Sequence, residues 1–151
     1  TTIFPEARLK KFIEMRGADA GQWHRLCALP AFWVGICYDQ GSLDAAWDIV
    51  KNWDENDREN LRIAAAEDGL KGSVGSISLI DLAKEAVRVS ESGLKKRAQA
   101  SSNGLYSDES LFLDSLKENI EKRKSSADEL LEKYHGSWNK DLTKVYEEYS
   151  Y

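Results

Sequence analysis

The chain has 151 residues, of which 42% are hydrophobic and 31% are charged, so it has enough apolar material to form a packed core. With 26 acidic residues and 21 basic ones the net charge is −5, and an acidic chain without a basic stripe argues against nucleic acid as a partner. No apolar run approaches the roughly 20 residues of a membrane span and no secretory leader opens the chain, so we expect no membrane partner.

A short β-strand is predicted at residues 12–16. Alternate side chains of an extended backbone share a face, so Glu14 and Arg16 should project together, with Ile13 and Met15 buried on the other side. Such a strand pairs within the chain, with another copy, or with a sheet formed by a missing segment. No other segment is a convincing strand, which favours the missing sheet and predicts an unpaired edge prone to dimerise.

The rest of the chain is predicted to be helical. Residues 21–39 are apolar on nearly all sides, which indicates a buried helix, and Pro30 predicts a kink or a restart within it. Ser42 is the predicted N-cap of a second helix. Asp54 opens a third helix, which Gly69 is placed to end.

A flexible loop is predicted at residues 69–78, which are rich in glycine and serine. Lys71 lies among these glycines, but the spacing of a phosphate-binding loop is absent, so no such loop is expected. A long helix should run from Ser78 to Arg97, followed by a polar break at residues 98–106 centred on Asn103 and Gly104.

The C-terminal third is predicted to form further helices. One begins at Ser107, and its inward side chains are predicted to be Leu111, Phe112, Leu116 and Ile120. Ser126 and Glu129 predict a capping box for the next helix, which Gly136 ends, and Trp138 should fold back onto it. The tail shows helical spacing of packing residues at Val145, Tyr146 and Tyr149.

The chain contains two cysteines, Cys27 and Cys37. On one helix they would be roughly 15 Å apart along the axis, whereas the α-carbons of a disulfide lie within about 7 Å. We predict two buried free thiols in a reducing compartment, and a cytoplasmic location. His24 and His135 have no partner pattern and are predicted to be structural or solvent-exposed.

Two blocks of the sequence resemble a known family. The first is Glu14-Met15-Arg16-Gly17-Ala18-Asp19, and the second runs from Arg25 to Gly35 as RLCALPAFWVG. Together they resemble the C-terminal part of glutamate–cysteine ligase of the plant and proteobacterial type. The resemblance covers most of the chain and is densest up to Trp53. Because the chain also opens at Thr1 without a methionine, we expect a fragment of a longer polypeptide.

The resemblance implies a mainly α fold, with a single C-terminal region spanning residues 1–151. Residues 1–20 would form a short strand and a turn of the antiparallel catalytic sheet of an α+β parent enzyme, and residues 21–151 the helical region. The parent would use ATP and Mg²⁺ to join the γ-carboxyl of L-glutamate to L-cysteine through a γ-glutamyl phosphate, the first step of glutathione biosynthesis. The missing N-terminal portion would be its partner, and the fragment alone is expected to be inactive.

The resemblance also implies roles for individual residues. In carboxylate–amine ligases, a Glu-x-Arg strand supplies a magnesium-binding glutamate and a substrate-facing arginine. Carried over, Glu14 would bind the metal, Arg16 would be catalytic and substrate-binding, Trp33 would form a wall of the amino-acid pocket, and Asp19 would hold the turn. The nucleotide ligands remain unassigned. The alternative is a non-catalytic helical protein-interaction module, which explains the helices and tryptophans but not Glu14 and Arg16 beside Trp33.

Overall fold

The computed structural model describes residues 5–18, 21–100 and 108–149. Within these ranges the chain is mainly helical, as predicted, with two short β-hairpins. The strands are β1 (Ala7–Leu9), β2 (Ile13–Met15), β3 (Ser73–Val74) and β4 (Ile77–Ser78). The α-helices are α1 (Trp23–Cys37), α2 (Gln40–Val50), α3 (Glu55–Asp68), α4 (Leu79–Ala100), α5 (Asp114–Lys122), α6 (Ser126–His135) and α7 (Lys144–Tyr149). Two 3₁₀ helices lie at Gly69–Lys71 and Glu109–Leu113.

The N-terminal strand pairs within the chain. Strands β1 and β2 are antiparallel, with Arg8 opposite Glu14 and Leu9 opposite Ile13. The prediction that the strand finds its partner only in a missing sheet is therefore wrong. The three residues 10–12 are enough to connect the two strands as a hairpin. Ile13 is 62% exposed, so its predicted burial is also wrong. The predicted turn at Asp19 lies outside the described residues.

Helix α1 runs without interruption through Pro30, so the predicted restart is wrong. Proline removes one backbone hydrogen bond and crowds the preceding turn. The packing of α1 against α4 and α5 outweighs this cost. The centre of that packing is a cluster of buried side chains, formed by Ala31, Val87, Leu94 and Leu113.

Helices α1 and α4 meet main chain to main chain. A Cβ atom at Gly35 would collide with the backbone carbonyl of Ser90, and one at Gly93 would collide with the carbonyl of Gly35. Ser90 is fully buried, and its hydroxyl donates a 2.9 Å hydrogen bond to the carbonyl oxygen of Phe32. This contact fixes the height and rotation of α1 at the turn that carries Phe32 and Trp33.

Helices α2 and α3 both begin at an aspartate cap. The carboxylate of Asp39 accepts from the Ser42 backbone N–H at 2.8 Å, so the predicted cap at Ser42 is wrong by three residues. Asp54 opens α3 as predicted, in a reciprocal capping box with Asp57. Gly69 ends the helix with a φ of 56°, a conformation that costs glycine little.

The segment predicted as a flexible loop is structured. After the 3₁₀ turn, β3 and β4 form a hairpin with Ser73 opposite Ser78. A Cβ atom at Gly72 would collide with the carbonyl oxygen of Ala64, which explains the glycine there. Helix α4 begins at Leu79 as expected and continues to Ala100, into the predicted break. The centre of that break, at Asn103 and Gly104, lies outside the described residues, as does Ser107.

Helix α5 turns part of its apolar face inward. Leu116 and Ile120 pack against the buried cluster, as predicted. Leu111 and Phe112 lie in the preceding 3₁₀ helix and are exposed, so their predicted inward position is wrong. The 3₁₀ winding changes the angular spacing, and Leu113 points into the core instead.

Helix α6 begins one residue earlier than predicted. Ser125, rather than Ser126, is the cap, and it exchanges hydrogen bonds with Asp128 in a capping box. Gly136 follows the helix as its C-cap. Trp138 folds back as predicted and is only 4% exposed, whereas Tyr146 of α7 is 77% exposed and does not pack.

The cysteines and histidines take mixed positions. Both thiols are free, and Cys27 is half-buried, but Cys37 is exposed, which contradicts its predicted burial. His24 and His135 are both exposed. Across the described ranges, the helices are too short or too polar for any of them to span a bilayer.

Candidate functional site around Trp33

A cavity of about 610 Å³ lies between the N-terminal hairpin, α1, α5 and the start of α6. We call it the Trp33 cavity, and its mostly apolar wall includes Met15, Arg25, Leu29, Phe32, Trp33 and Ser126. The hairpin turns Ala7 and Met15 towards this space, as expected for residues paired on one face of an antiparallel ladder.

Trp33 stands between this cavity and a second hollow. The rings of Phe32 and Trp33 meet edge to face, with 5.2 Å between centroids and an interplanar angle of 76°. Both side chains also border an apolar groove of about 430 Å³ between α1, α2 and α4, which Trp47 and Trp53 also line. The structure thus places Trp33 in the wall of both spaces, and its role in an amino-acid pocket stays a prediction.

Glu14 lies on the opposite face of the hairpin. Its carboxylate accepts a 2.7 Å hydrogen bond from Nε of Arg8, and Nη2 of Arg8 lies 2.6 Å from the same oxygen. This hydrogen bond, together with the charges of Arg8, Lys10 and Arg16, lowers the pKa of Glu14. Glu14 is therefore an ionised carboxylate at neutral pH, already engaged by a guanidinium.

Arg16 is anchored at the foot of the same hairpin. Its backbone N–H donates to the carbonyl oxygen of Glu6 at 2.8 Å. Its positive charge is the smallest of the causes that lower the pKa of Glu14. Neither Glu14 nor Arg16 is among the described residues that border the Trp33 cavity.

Sequence reasoning missed Arg8 as the direct partner of Glu14. Residues directly opposite in an antiparallel pair interact strongly when their charges are opposite. Arg8 and Glu14 lie six residues apart, a spacing that brings them opposite each other once a hairpin is assumed. The hairpin itself was not predicted, because β1 is only three residues long and has an arginine at its centre.

The described residues do not form a complete magnesium site. Mg²⁺ takes six oxygen ligands in a near-ideal octahedron, and one carboxylate supplies at most two of them. Within residues 5–18, 21–100 and 108–149, no three His, Cys, Asp or Glu side chains are grouped so as to hold a metal ion. Glu14 therefore fits Mg²⁺ only as one member of a larger ligand set.

Arg25 is a second residue of this region that the sequence did not reveal. From the first turns of α1 it reaches α6, where Nη1 contacts the hydroxyl of Ser126 and Nη2 lies 2.6 Å from a carboxylate oxygen of Glu129. Its partners lie 101 and 104 residues further along the chain. No local spacing could have indicated this contact.

Comparison with known proteins identifies the family. The family model described as glutamate-cysteine ligase family 2 (GCS2) matches residues 1–148. The chain is 42% identical over its whole length to a chloroplastic glutamate–cysteine ligase from Solanum lycopersicum, of which it covers 27%. It is likewise 42% identical to the Medicago truncatula protein of that name and 41% identical to the Arabidopsis thaliana one, covering 28% and 27% of them.

The chain thus spans less than a third of the length of these relatives. Their names place them in the chloroplast, which contradicts the cytoplasmic location expected from the cysteine content. That expectation is wrong because two free thiols indicate a reducing compartment without telling one such compartment from another. No match supports the alternative of a non-catalytic interaction module. The chain belongs to glutamate–cysteine ligase family 2.

Proposed function

We propose that this chain is the C-terminal part of a plastid glutamate–cysteine ligase, which performs the first step of glutathione biosynthesis. The main support is the family match over residues 1–148, together with the 42% identity over the whole chain to a chloroplastic glutamate–cysteine ligase. L-glutamate and L-cysteine are the substrates that the names of these relatives suggest, and ATP is proposed as the energy source of the ligation.

The proposed chemistry overcomes a poor leaving group. An oxygen of the glutamate γ-carboxylate attacks the γ-phosphorus of ATP, ADP departs, and a γ-glutamyl phosphate forms. The amine nitrogen of cysteine then attacks the acyl carbon, phosphate leaves with the bonding electrons, and the amine loses a proton. Phosphoryl transfer depends on positioning and on neutralising negative charge rather than on covalent help from the protein.

The N-terminal hairpin is proposed to supply charged groups for this reaction. Arg16 would contact the phosphate or the glutamyl group, because a guanidinium matches the geometry of both anions. Glu14 would be one of several Mg²⁺ ligands, and the bound ion would neutralise phosphate charge. The upstream portion would supply the other ligands and the nucleotide site, and the outer edges of the hairpin would join its antiparallel sheet.

The Trp33 cavity is proposed to hold an amino-acid substrate. Its volume of about 610 Å³ falls within the range of roughly 300–1,000 Å³ found for small-molecule sites. Trp33 and Phe32 provide a rigid apolar wall, and Arg25, Glu6 and Asn119 place polar groups around it. An apolar wall with a few convergent polar groups is the usual composition of such sites.

Co-expression with the upstream portion of the tomato relative tests this function. The assembly should release phosphate from ATP only when glutamate and cysteine are both present, and the chain alone should not. In the assembly, Arg16→Ala should lower the rate by about 10²–10³, as the loss of a charge contact to the transition state does. Arg88→Ala is the matched control, because Arg88 pairs with Glu85 on the exposed face of α4.

The possible outcomes separate the parts of the proposal. An assembly that forms but never turns over contradicts the ligase function. An active assembly with an unchanged Arg16→Ala rate contradicts the role of Arg16 alone. Turnover by the isolated chain contradicts the need for an upstream portion.

A further inference from the structure

Polar contacts carry much of the attachment of α6 to the body of the protein. No residue of α6 is fully buried, so little apolar packing holds the helix in place. Two ion pairs reach its first turns from elsewhere in the chain. Arg25 of α1 binds Ser126 and Glu129, and Lys71 lies 3.5 Å from Asp128.

The two attachments differ in strength. The guanidinium of Arg25 makes two contacts at once, and its side chain is 20% exposed. Lys71 makes one longer contact, and its side chain is 65% exposed. Charge-assisted hydrogen bonds that are partly shielded from water are the stronger class, whereas exposed ion pairs contribute little. Arg25 is therefore the dominant tether of α6.

The two attachments also differ in what they border. Arg25 and Ser126 both line the Trp33 cavity, whereas Lys71 and Asp128 do not. Ser126 is the point at which α6 enters the cavity wall. If the contacts of Arg25 are lost, we expect Ser126 to leave its position and the shape of the cavity to change at the start of α6.

We infer that Arg25 is a positioning residue for substrate binding: through its contacts with Ser126 and Glu129, it holds the start of α6 in the wall of the Trp33 cavity. This inference rests on the proposed function. Arg25 acts here through α6, and the substrate that benefits is the amino acid that fills the cavity. Loss of these contacts should weaken the binding of that amino acid more than it slows the chemical step, because Arg16 and Glu14, which are proposed to serve the phosphoryl transfer, do not border the cavity.

The first test uses the chain itself. Amide hydrogen exchange in residues 126–135 should accelerate about tenfold in Arg25→Met, which removes both contacts of the guanidinium. Glu129→Gln should accelerate it less, because the amide oxygen of Gln can still accept from Arg25 and only the charge of the pair is lost. Lys71→Met is the matched control, because it removes the ion pair that Lys71 makes with Asp128 in the first turn of the same helix. It should change exchange in this helix less than about twofold. Equal acceleration in Arg25→Met and Lys71→Met, or no acceleration in Arg25→Met, contradicts the claim that Arg25 is the dominant tether of α6.

The second test uses the assembly with the upstream portion. Arg25→Met should raise KM for glutamate or cysteine by about tenfold or more, with kcat within about threefold of the parent value. Arg25→Lys can keep one ion pair but cannot contact both Ser126 and Glu129. Its KM should therefore lie between that of the parent and that of Arg25→Met. Lys71→Met should leave both constants unchanged.

The outcomes distinguish this inference from the proposed function. An active assembly in which Arg25→Met lowers only thermal stability, with KM unchanged, overturns the positioning role and leaves the ligase function standing. An assembly without ligase activity contradicts the proposed function and the substrate role together, while hydrogen exchange still decides whether Arg25 tethers α6.

Discussion

Arg8 and Glu14 face each other across the N-terminal hairpin, with 2.7 Å between Nε of Arg8 and a carboxylate oxygen of Glu14. The metal ligand implied by the family resemblance is therefore held by a positive charge in the structure. Any cation that binds Glu14 must share its carboxylate with Arg8 or displace the guanidinium. The charge at position 8 should thus set the affinity of the hairpin for cations.

Removing Arg8 should raise the pKa of Glu14 towards its ordinary value of 4.5, because the hydrogen bond from Arg8 is the largest cause of its lowering. A carboxyl-detected NMR titration of Arg8→Ala measures this change. Lys10→Ala is the control and should give a smaller rise, since Lys10 acts only through its charge. An unchanged pKa in Arg8→Ala would show that the pair does not form in solution.

Adding a methyl group at the crossing of α1 and α4 should destabilise the protein. Gly35→Ala and Gly93→Ala each place a Cβ atom against backbone that cannot move aside, and overpacking of this kind costs about 1–3 kcal/mol or more. Gly41→Ala is the control, because its Cβ atom would meet only the flexible end of Lys96 and the Asp39 side chain. It should be neutral or stabilising in urea denaturation.

Ser125→Ala should destabilise α6 by about 1 kcal/mol through loss of its cap. The pKa of Asp128 is lowered mainly by its hydrogen bonds with Ser125, so it should rise towards 3.8 in this variant. Because the folded-state pKa is lowered, Asp128 stabilises the protein above pH 3.8 and loses that contribution as the pH falls further.

The acid-dependent loss of stability should therefore be smaller in Ser125→Ala than in the parent. Denaturant melts at neutral pH and at pH values below 3.8 measure the difference. Ser126→Ala is the comparison that separates the two neighbouring serines: it should leave the pKa of Asp128 unchanged. A larger effect of Ser126→Ala on that pKa would move the cap back to the residue predicted from sequence.

Glu148 should fasten the C-terminal tail. It accepts from the indole N–H of Trp138 at 2.6 Å and from Lys133 at 2.7 Å, and these contacts lower its pKa. Glu148→Gln should lower the melting temperature and loosen α7, whereas Glu147→Gln, which breaks only an exposed pair with Lys144, should not. Because the folded-state pKa of Glu148 is lowered, the difference between the two variants should be fully present above pH 4.5 and should be lost progressively as the pH falls below that value and Glu148 becomes protonated.

Much of the helical architecture follows from local sequence signals. Asp54 and Gly69 mark the two ends of α3, because a carboxylate cap and a glycine with positive φ satisfy backbone groups within one turn. Local signals fail where two candidates lie close together. Asp39 and Ser42 both suit a cap, as do Ser125 and Ser126, and the choice depends on which residue the tertiary structure leaves in an extended conformation.

Long-range contacts account for what the sequence did not predict. Pro30 was expected to interrupt α1, but packing against α4 overrides a local preference. The same holds for the Trp33 cavity. The sequence indicated Trp33 as a pocket wall, yet Arg25 and Ser126 join the same cavity from positions 101 residues apart. Pairing of that kind depends on how the helices assemble, which no short motif records.

The crossing at Gly35 and Gly93 has a consequence for how the site can vary. Both positions already carry the smallest residue, so a larger side chain at one of them has no compensating replacement at the other. The position of Trp33, two residues before Gly35, is therefore fixed by a helix crossing that accepts no larger residue. Ligand preference at this wall can be altered by exchanging the ring, but the scaffold that presents the ring is invariant by geometry.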